Sequence, residues 1–172
     1  LGVLIRDVRC DTRVPVFAVA IAPTNPTRMP PFAAFSGYGA HLDPRVALSR
    51  ALTEAIQSRL TVIHGGRDDL WPSAYARVLD HRAARNWARF VSTAEPTVDF
   101  ERIPDHSTET FSGDLEVLKE SIASVAAEAI AVDLTRPGLG IPVVKVVVPG
   151  LSGIPFDPRP RDGGRVGSAA PA

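Results

Sequence analysis

Cysteine is nearly absent. Cys10 stands alone among 172 residues, so no internal disulfide framework can form. A lone thiol suits a reducing compartment, and a cytoplasmic location is expected. Charge of one sign is absent too: 19 basic residues balance 19 acidic ones. No net field therefore favours nucleic acid or an anionic membrane, and neither is an expected partner. No apolar run approaches the roughly 18–20 residues that a membrane helix requires, and no basic segment opens a signal peptide. The four histidines, His41, His64, His81 and His106, make no metal-ligand spacing with one another or with Cys10. Neither a Walker sequence nor a serine-nucleophile elbow occurs.

What is present centres on Gly37–Leu70, GYGAHLDPRVALSRALTEAIQSRLTVIHGGRDDL. Asp43 offers an acceptor to the first free amides of a helix, and Pro44 sits where its missing N–H does no harm. No Pro or Gly follows until Gly65–Gly66, which gives the stop. On a wheel, Leu48, Ala51, Leu52, Ala55, Ile56, Val62 and Ile63 form an apolar face. Arg50, Glu54, Gln57 and Thr61 line the other side, three and four residues apart. Arg59 projects from the apolar face. It snorkels, or it meets a phosphate, or it pairs with Asp43, Asp68 or Asp69. The glycines of FSGYGA (Phe35–Ala40) let backbone amides approach a phosphate, or simply make a turn.

Around this centre, Leu1–Val8 and Val14–Ala22 read as a strand hairpin, with Pro15 at a strand start or edge. Pro23–Pro31 is a proline-rich loop. A second helix is expected from Trp71-Pro72 to about Phe90, with a mixed face. Glu95–Ser112 reads as a mobile surface loop. A third helix opens at Gly113-Asp114, with Leu115, Leu118, Ile122, Val125 and Ala129 as its core stripe. Ala129–Leu134 and Ile141–Val148 are expected as strands, the latter buried on both faces. Arg67-Asp68-Asp69 reads as a turn brace, and Asp133 with Arg136 as turn chemistry before Pro137. Residues 152–172 form a Pro/Gly-rich tail expected to be disordered. The order implies an α+β fold, with a mixed or antiparallel sheet and helices packed on one face.

Two signatures then carry a resemblance. The first is Ala47, Leu48, Arg50 to Glu54, Gln57 to Arg59 and Gly66 to Leu70. The second is Val132 to Pro137 followed by Ile141 to Leu151. Together they resemble the YcaO family across residues 1–151. Family domains are longer, so the chain, which opens without Met, is expected to be the C-terminal part of such a domain or half of a split protein. The resemblance implies ATP and Mg²⁺ bound without a P-loop. Glu54 matches a nucleotide- or magnesium-site carboxylate, with Gln57, Arg50 and Arg59 as further nucleotide contacts. It assigns no catalytic residue. Magnesium is the only metal expected.

In the family, ATP phosphorylates a peptide amide oxygen; an internal nucleophile then gives an azoline, or external sulfide gives a thioamide. Azoline-forming members often end in P-x-P-x-P. Here only Pro158-Arg159-Pro160 occurs, followed by further residues, which leans toward thioamidation or toward the members labelled accessory factors for ribosomal-protein methylthiolation. The resemblance further implies a peptide or protein substrate, a TfuA-like partner protein, and a homodimer as one assembly. A second expectation is a non-catalytic piece that binds a peptide or partner but lacks a complete nucleotide site.

Overall fold

A computed structural model describes residues 1–25, 32, 34–69, 71–125 and 128–149. Pro158–Pro160, the tail and most of the proline-rich stretch fall outside these residues. The chain divides into two compact units: Leu1–Arg9 with Pro15–Ser107, and Cys10–Val14 with Thr108–Ala172.

In the first unit, β1 (Gly2–Asp7), β2 (Val16–Ala22) and β3 (Phe35–Ala40) form an antiparallel sheet in that spatial order. The register pairs Ile5 with Val19, and Val19 with Gly37. Residues paired across antiparallel strands share a face, so Phe17, Val19, Ile21, Phe35, Gly37 and Gly39 look the same way. Helix α1 (Pro44–His64) covers that face. Its Ala47, Ala51 and Ala55 are fully buried and join Phe17, Val19, Ile21, Phe35 and Ile103 in one core cluster.

The ends of α1 follow the sequence reading. Asp43 accepts a hydrogen bond from the Arg45 amide, and Gly65 closes the helix in the left-handed region at φ 64°. The apolar face does not. Ile56 and Ile63 are half exposed; the buried stripe is alanine, with Leu48, Leu52 and Val62 partly buried beside it. Large side chains cannot enter here because the strand opposite carries no side chains at Gly37 and Gly39 and the helix backbone comes down onto it.

The expected second helix is two. α2 (Pro72–Val78) ends before Asp80, whose backbone is extended and whose carboxylate caps α3 (His81–Thr93) at the Arg82 amide. An aspartate that can bond nearby amides favours this cap over continuing a helix. α3 contacts β1 and β2, and Arg6 lies 5.1 Å over the Phe90 ring. Arg6 is on the sheet face opposite Phe17, so α1 covers one face and α3 adds contacts from the other.

The Glu95–Ser112 stretch is anchored, contrary to the expected mobile loop. A 3₁₀ turn at Phe100–Arg102 brings the Phe100 ring within 5.8 Å of Phe17. Ile103 enters the core, and the His106 amide donates to the Leu42 carbonyl. These apolar residues every few positions were hidden by the prolines around them.

In the second unit, α4 (Phe111–Ala123) starts two residues earlier than its glycine suggested, capped by Thr110 through the Gly113 amide. Within this unit the Ser121 hydroxyl donates to the Thr12 carbonyl. The expected core stripe is only partly covered: Leu115 is exposed, Leu118, Ile122 and Val125 are half-buried, and Ala129 lies beyond the helix. β4 (Ile130–Asp133) and β5 (Val144–Val147) pair antiparallel, Ile130 opposite Val147. Every residue in both strands is exposed, so the expected double-sided burial is overturned. A two-stranded ribbon has no third layer to supply it. The class is α+β, with antiparallel sheets.

Candidate functional site

FSGYGA is a strand, so both readings of it, phosphate loop and turn, are corrected. Its glycines serve packing. A Cβ on Gly37 would lie 2.3 Å from the Ala55 nitrogen, and one on Gly39 would lie 2.0 Å from the Ala47 oxygen. Gly-x-Gly facing Ala-x₃-Ala-x₃-Ala is thus one matched surface, small residues on both sides. The sequence alone did not reveal this packing role.

β3 is also an outer strand, since the sheet order leaves its far side unpaired. α1 closes that edge with a polar row one helical turn apart. The Arg50 Nη1 donates to the Ala40 carbonyl at 3.3 Å. The Tyr38 amide donates to Glu54 Oε2 at 2.9 Å. The Ser58 hydroxyl donates to the Ser36 carbonyl at 3.3 Å. The geometry explains the match: four helical residues rise about 6 Å, close to the roughly 6.6 Å spanned by two strand residues. Unpaired strand groups attract foreign strands, and this row satisfies three of them. Ser58 and the Tyr38 amide belong to the row and were missed from the sequence.

Each site residue expected from the sequence can now be located. Arg50 and Glu54 are brought together along the β3 edge. Gln57 is exposed one turn further on, on the same side of the helix; its carbonyl accepts from the Thr61 hydroxyl at 2.9 Å. Arg59 is half-buried, about 140° around the helix from Glu54, its guanidinium 5.8 Å over the Phe32 ring. The carboxylates proposed for it are engaged elsewhere in two cases: Asp43 by Arg45, and Asp69 by Arg67. The cation–π contact accounts for a guanidinium on the apolar side.

Magnesium takes few carboxylates and completes its shell with water and phosphate oxygens. Among the described residues, no three His, Cys, Asp or Glu side chains gather as a metal site. Glu54 nevertheless fits as a single ligand. One carboxylate oxygen is fixed by the Tyr38 amide, and the other is without a partner among the described residues. The side chain is exposed.

The start of α1 is braced by charge. Arg45 bridges Asp43 and Asp105, each at 3.0 Å. The hydrogen bond from Arg45 holds the Asp43 carboxyl below its ordinary pKa, and bonds from Ser107 do the same for Asp105. Arg67 and Asp69 brace the turn after α1, as expected, and the Arg67 carbonyl accepts from the Tyr75 hydroxyl. Asp133 accepts from the Thr135 amide at 2.8 Å, which fits its reading as turn chemistry. No helix among the described residues is long and apolar enough to cross a membrane.

Comparison with known proteins places this geometry. The family described as YcaO cyclodehydratase, ATP- and Mg²⁺-binding, matches residues 1–152. A protein of Methanothermobacter thermautotrophicus is 40% identical over 168 residues, covering 95% of this chain and 42% of its own length. A Rhizobium leguminosarum bv. trifolii protein, described as lying in the tfuA 3′ region, is 34% identical over 156 residues, with 88% and 37% covered. The chain thus spans well under half the length of these relatives.

Among solved structures, YcaO from Methanopyrus kandleri bound with AMPPCP and Mg²⁺ aligns with TM-score 0.59 and 28% identity. That alignment covers 87% of this chain and 39% of that one. A heterocyclase in complex with substrate and cofactor aligns with TM-score 0.66 and 27% identity, over 86% of this chain and 19% of that one. With a profile match along nearly all its described length, and relatives alike in both sequence and fold, the chain belongs to the YcaO family.

Proposed function

We propose that this chain is the C-terminal part, residues 1–151, of a cytoplasmic YcaO protein that uses ATP and Mg²⁺ to activate a peptide backbone amide. When bound, the nucleotide supplies a phosphoryl group that converts the amide oxygen into a leaving group, and Mg²⁺ neutralises phosphate charge. Glu54 would hold the metal through its free oxygen. Arg50 and Gln57 would bind phosphate oxygens, Arg50 through a planar fork suited to oxyanions; Arg59, on another side of α1 and stacked on Phe32, would contact the nucleotide away from Glu54. The Tyr38 amide keeps the Glu54 carboxylate in one orientation, so little ordering remains when the ligand arrives.

The observation that carries this reading is the one-sided engagement of Glu54: fixed at one oxygen, open at the other. A relative bound with AMPPCP and Mg²⁺ supports the ligand choice. We favour thioamide over azoline formation, together with a TfuA-like partner, a reading supported by a relative described as lying in the tfuA 3′ region. A peptide or protein is the substrate class, and a homodimer is one assembly to test.

A second reading has its own support. Glu54 already serves the β3 edge, no group of three metal-ligating side chains forms among the described residues, and the chain covers 42% of a relative. On this reading the fragment binds a partner without a complete nucleotide site.

Thermal melting with ATP and Mg²⁺ decides between them. A ligand at a hundred times its Kd adds about 2.7 kcal/mol, a rise of roughly 5–10 °C for a chain of this size. The first reading expects that rise, absent with ATP alone and absent in Glu54→Gln. No rise at millimolar nucleotide supports the second.

A further inference from the structure

We propose that the exposed arginine stripe of α3 is a docking surface for an acidic, extended segment of a partner polypeptide. This goes beyond the nucleotide reading and needs neither ATP nor turnover. Arg82, Arg85 and Arg89 follow one another at three and four residues, so they fall within about 60° of one another on the helix. All are exposed, while Ala84, on the far side of the helix, is fully buried. The stripe therefore faces solvent.

Two features separate it from an ordinary solvated face. First, the other basic side chains near acids are paired: Arg9 with Asp7, Arg45 with Asp43 and Asp105, Arg67 with Asp69, Arg102 with Asp99 and Lys119 with Glu116. None of the α3 arginines forms an ion pair among the described residues. The helix has no acid at any of its own positions to offer them. Second, Arg6 extends the patch from β1, stacked over Phe90, which is itself 39% exposed. A local excess of four cations on a chain of zero formal net charge marks a place for a complementary anion.

The dimensions favour a short acidic peptide. The arginines are spaced about 4.5 and 6 Å along the helix axis, against about 6.7 Å between same-side residues of an extended strand. Asp80 just before α3 and Glu95 just after it bound the stripe at both ends. A longer polyanion such as a nucleic acid would run into those carboxylates, and strong nucleic-acid binding draws on more phosphate contacts than this patch supplies.

The test is fluorescence anisotropy with a short labelled peptide alternating Glu and Ser, against a Lys-Ser counterpart and an oligothymidylate of equal formal charge. The Glu-Ser peptide is expected to bind, with affinity falling as salt rises from about 50 to about 300 mM. R82E/R85E/R89E is expected to weaken it roughly tenfold or more, since each exposed charge pair contributes a modest amount. R82Q/R85Q/R89Q, with melting unchanged, should fall between, and K145E in the second unit should bind as wild type. ATP-dependent melting of the same variants is read separately and should not move. The proposal is overturned if the Glu-Ser peptide fails to bind at low salt. It is equally overturned if the triple charge reversal binds as wild type, or if the oligothymidylate binds as tightly as the peptide.

Discussion

Substituting Gly39 with alanine should unfold this domain more readily than almost any other single methyl could. The new Cβ would sit 2.0 Å from the Ala47 carbonyl oxygen, 2.6 Å from the Ala51 nitrogen and 3.0 Å from the Arg50 Cβ. Ordinary contact is about 3.5 Å, so the helix must retreat by more than an ångström. The atoms struck first are backbone, and no rotamer change relieves them. Retreat loosens the packing of Ala47, Ala51 and Ala55 on Phe17, Val19 and Phe35. It also stretches the bonds from Arg50, Glu54 and Ser58 to the β3 edge.

Overpacking of this kind costs about 1–3 kcal/mol, and each weakened edge bond adds roughly 1. Against this, Gly→Ala stiffens the unfolded chain by only about 0.4–1 kcal/mol. The clash wins, and a net loss of about 3 kcal/mol is expected, which lowers the melting point by roughly 6–12 °C. Urea unfolding and thermal melting followed by circular dichroism measure it. Ala47→Gly should give no rescue, because the obstructing atom is that residue's backbone oxygen. A Gly39→Ala variant within about 1 kcal/mol of wild type, or one restored by Ala47→Gly, would refute the close-approach account.

Three further outcomes follow from other parts of the same unit. Gly65→Ala meets no atom within 4 Å, so its loss comes only from the left-handed φ of 64°; about 1 kcal/mol in urea is expected, and Gly65→Asn should lose less. Glu54→Gln keeps an acceptor for the Tyr38 amide and should unfold at nearly the wild-type urea midpoint, whereas Glu54→Ala should lose about 1 kcal/mol. Equal midpoints for the two would remove the edge role. Asp43 and Asp105 have folded-state pKa values depressed below their ordinary ones. Their contribution is therefore fully present above about pH 4 and lost as pH falls through the lower folded values. The urea midpoint should drop as pH falls below about 4, and Asp43→Asn should flatten that drop.

Much of the first unit was readable because its signals are local. The caps of α1, the three-to-four spacing of its polar row and the β1–β2 hairpin each depend on residues close in sequence. What was unreadable depended on what lies opposite. Ile56 and Ile63 fit a wheel's apolar face, yet the helix turns its alanines inward because β3 offers glycines there. The break at Asp80 was a matter of one side chain preferring a cap to a helix interior. Val144–Val147, a β-branched run of the kind usually buried on both faces, is exposed here. Such a run is buried only where layers cover both of its faces, and among the described residues β4 and β5 have none.

The candidate site divides along the same line. Arg50, Glu54 and Gln57 could be grouped from helical periodicity alone, because periodicity fixes which side chains share a side. Their partner could not, since the Tyr38 amide is sixteen residues away and carries no signal in its side chain. The observed use of Glu54 as an edge cap and its proposed use as a metal ligand are compatible only because a carboxylate has two oxygens. That makes the Gln substitution the sharpest separation available. It leaves an oxygen for Tyr38 and takes the negative charge from the other side. A nucleotide site that depends on Glu54 must then lose Mg²⁺-dependent ATP binding while the fold stays intact, and a purely structural Glu54 must leave any such binding unchanged.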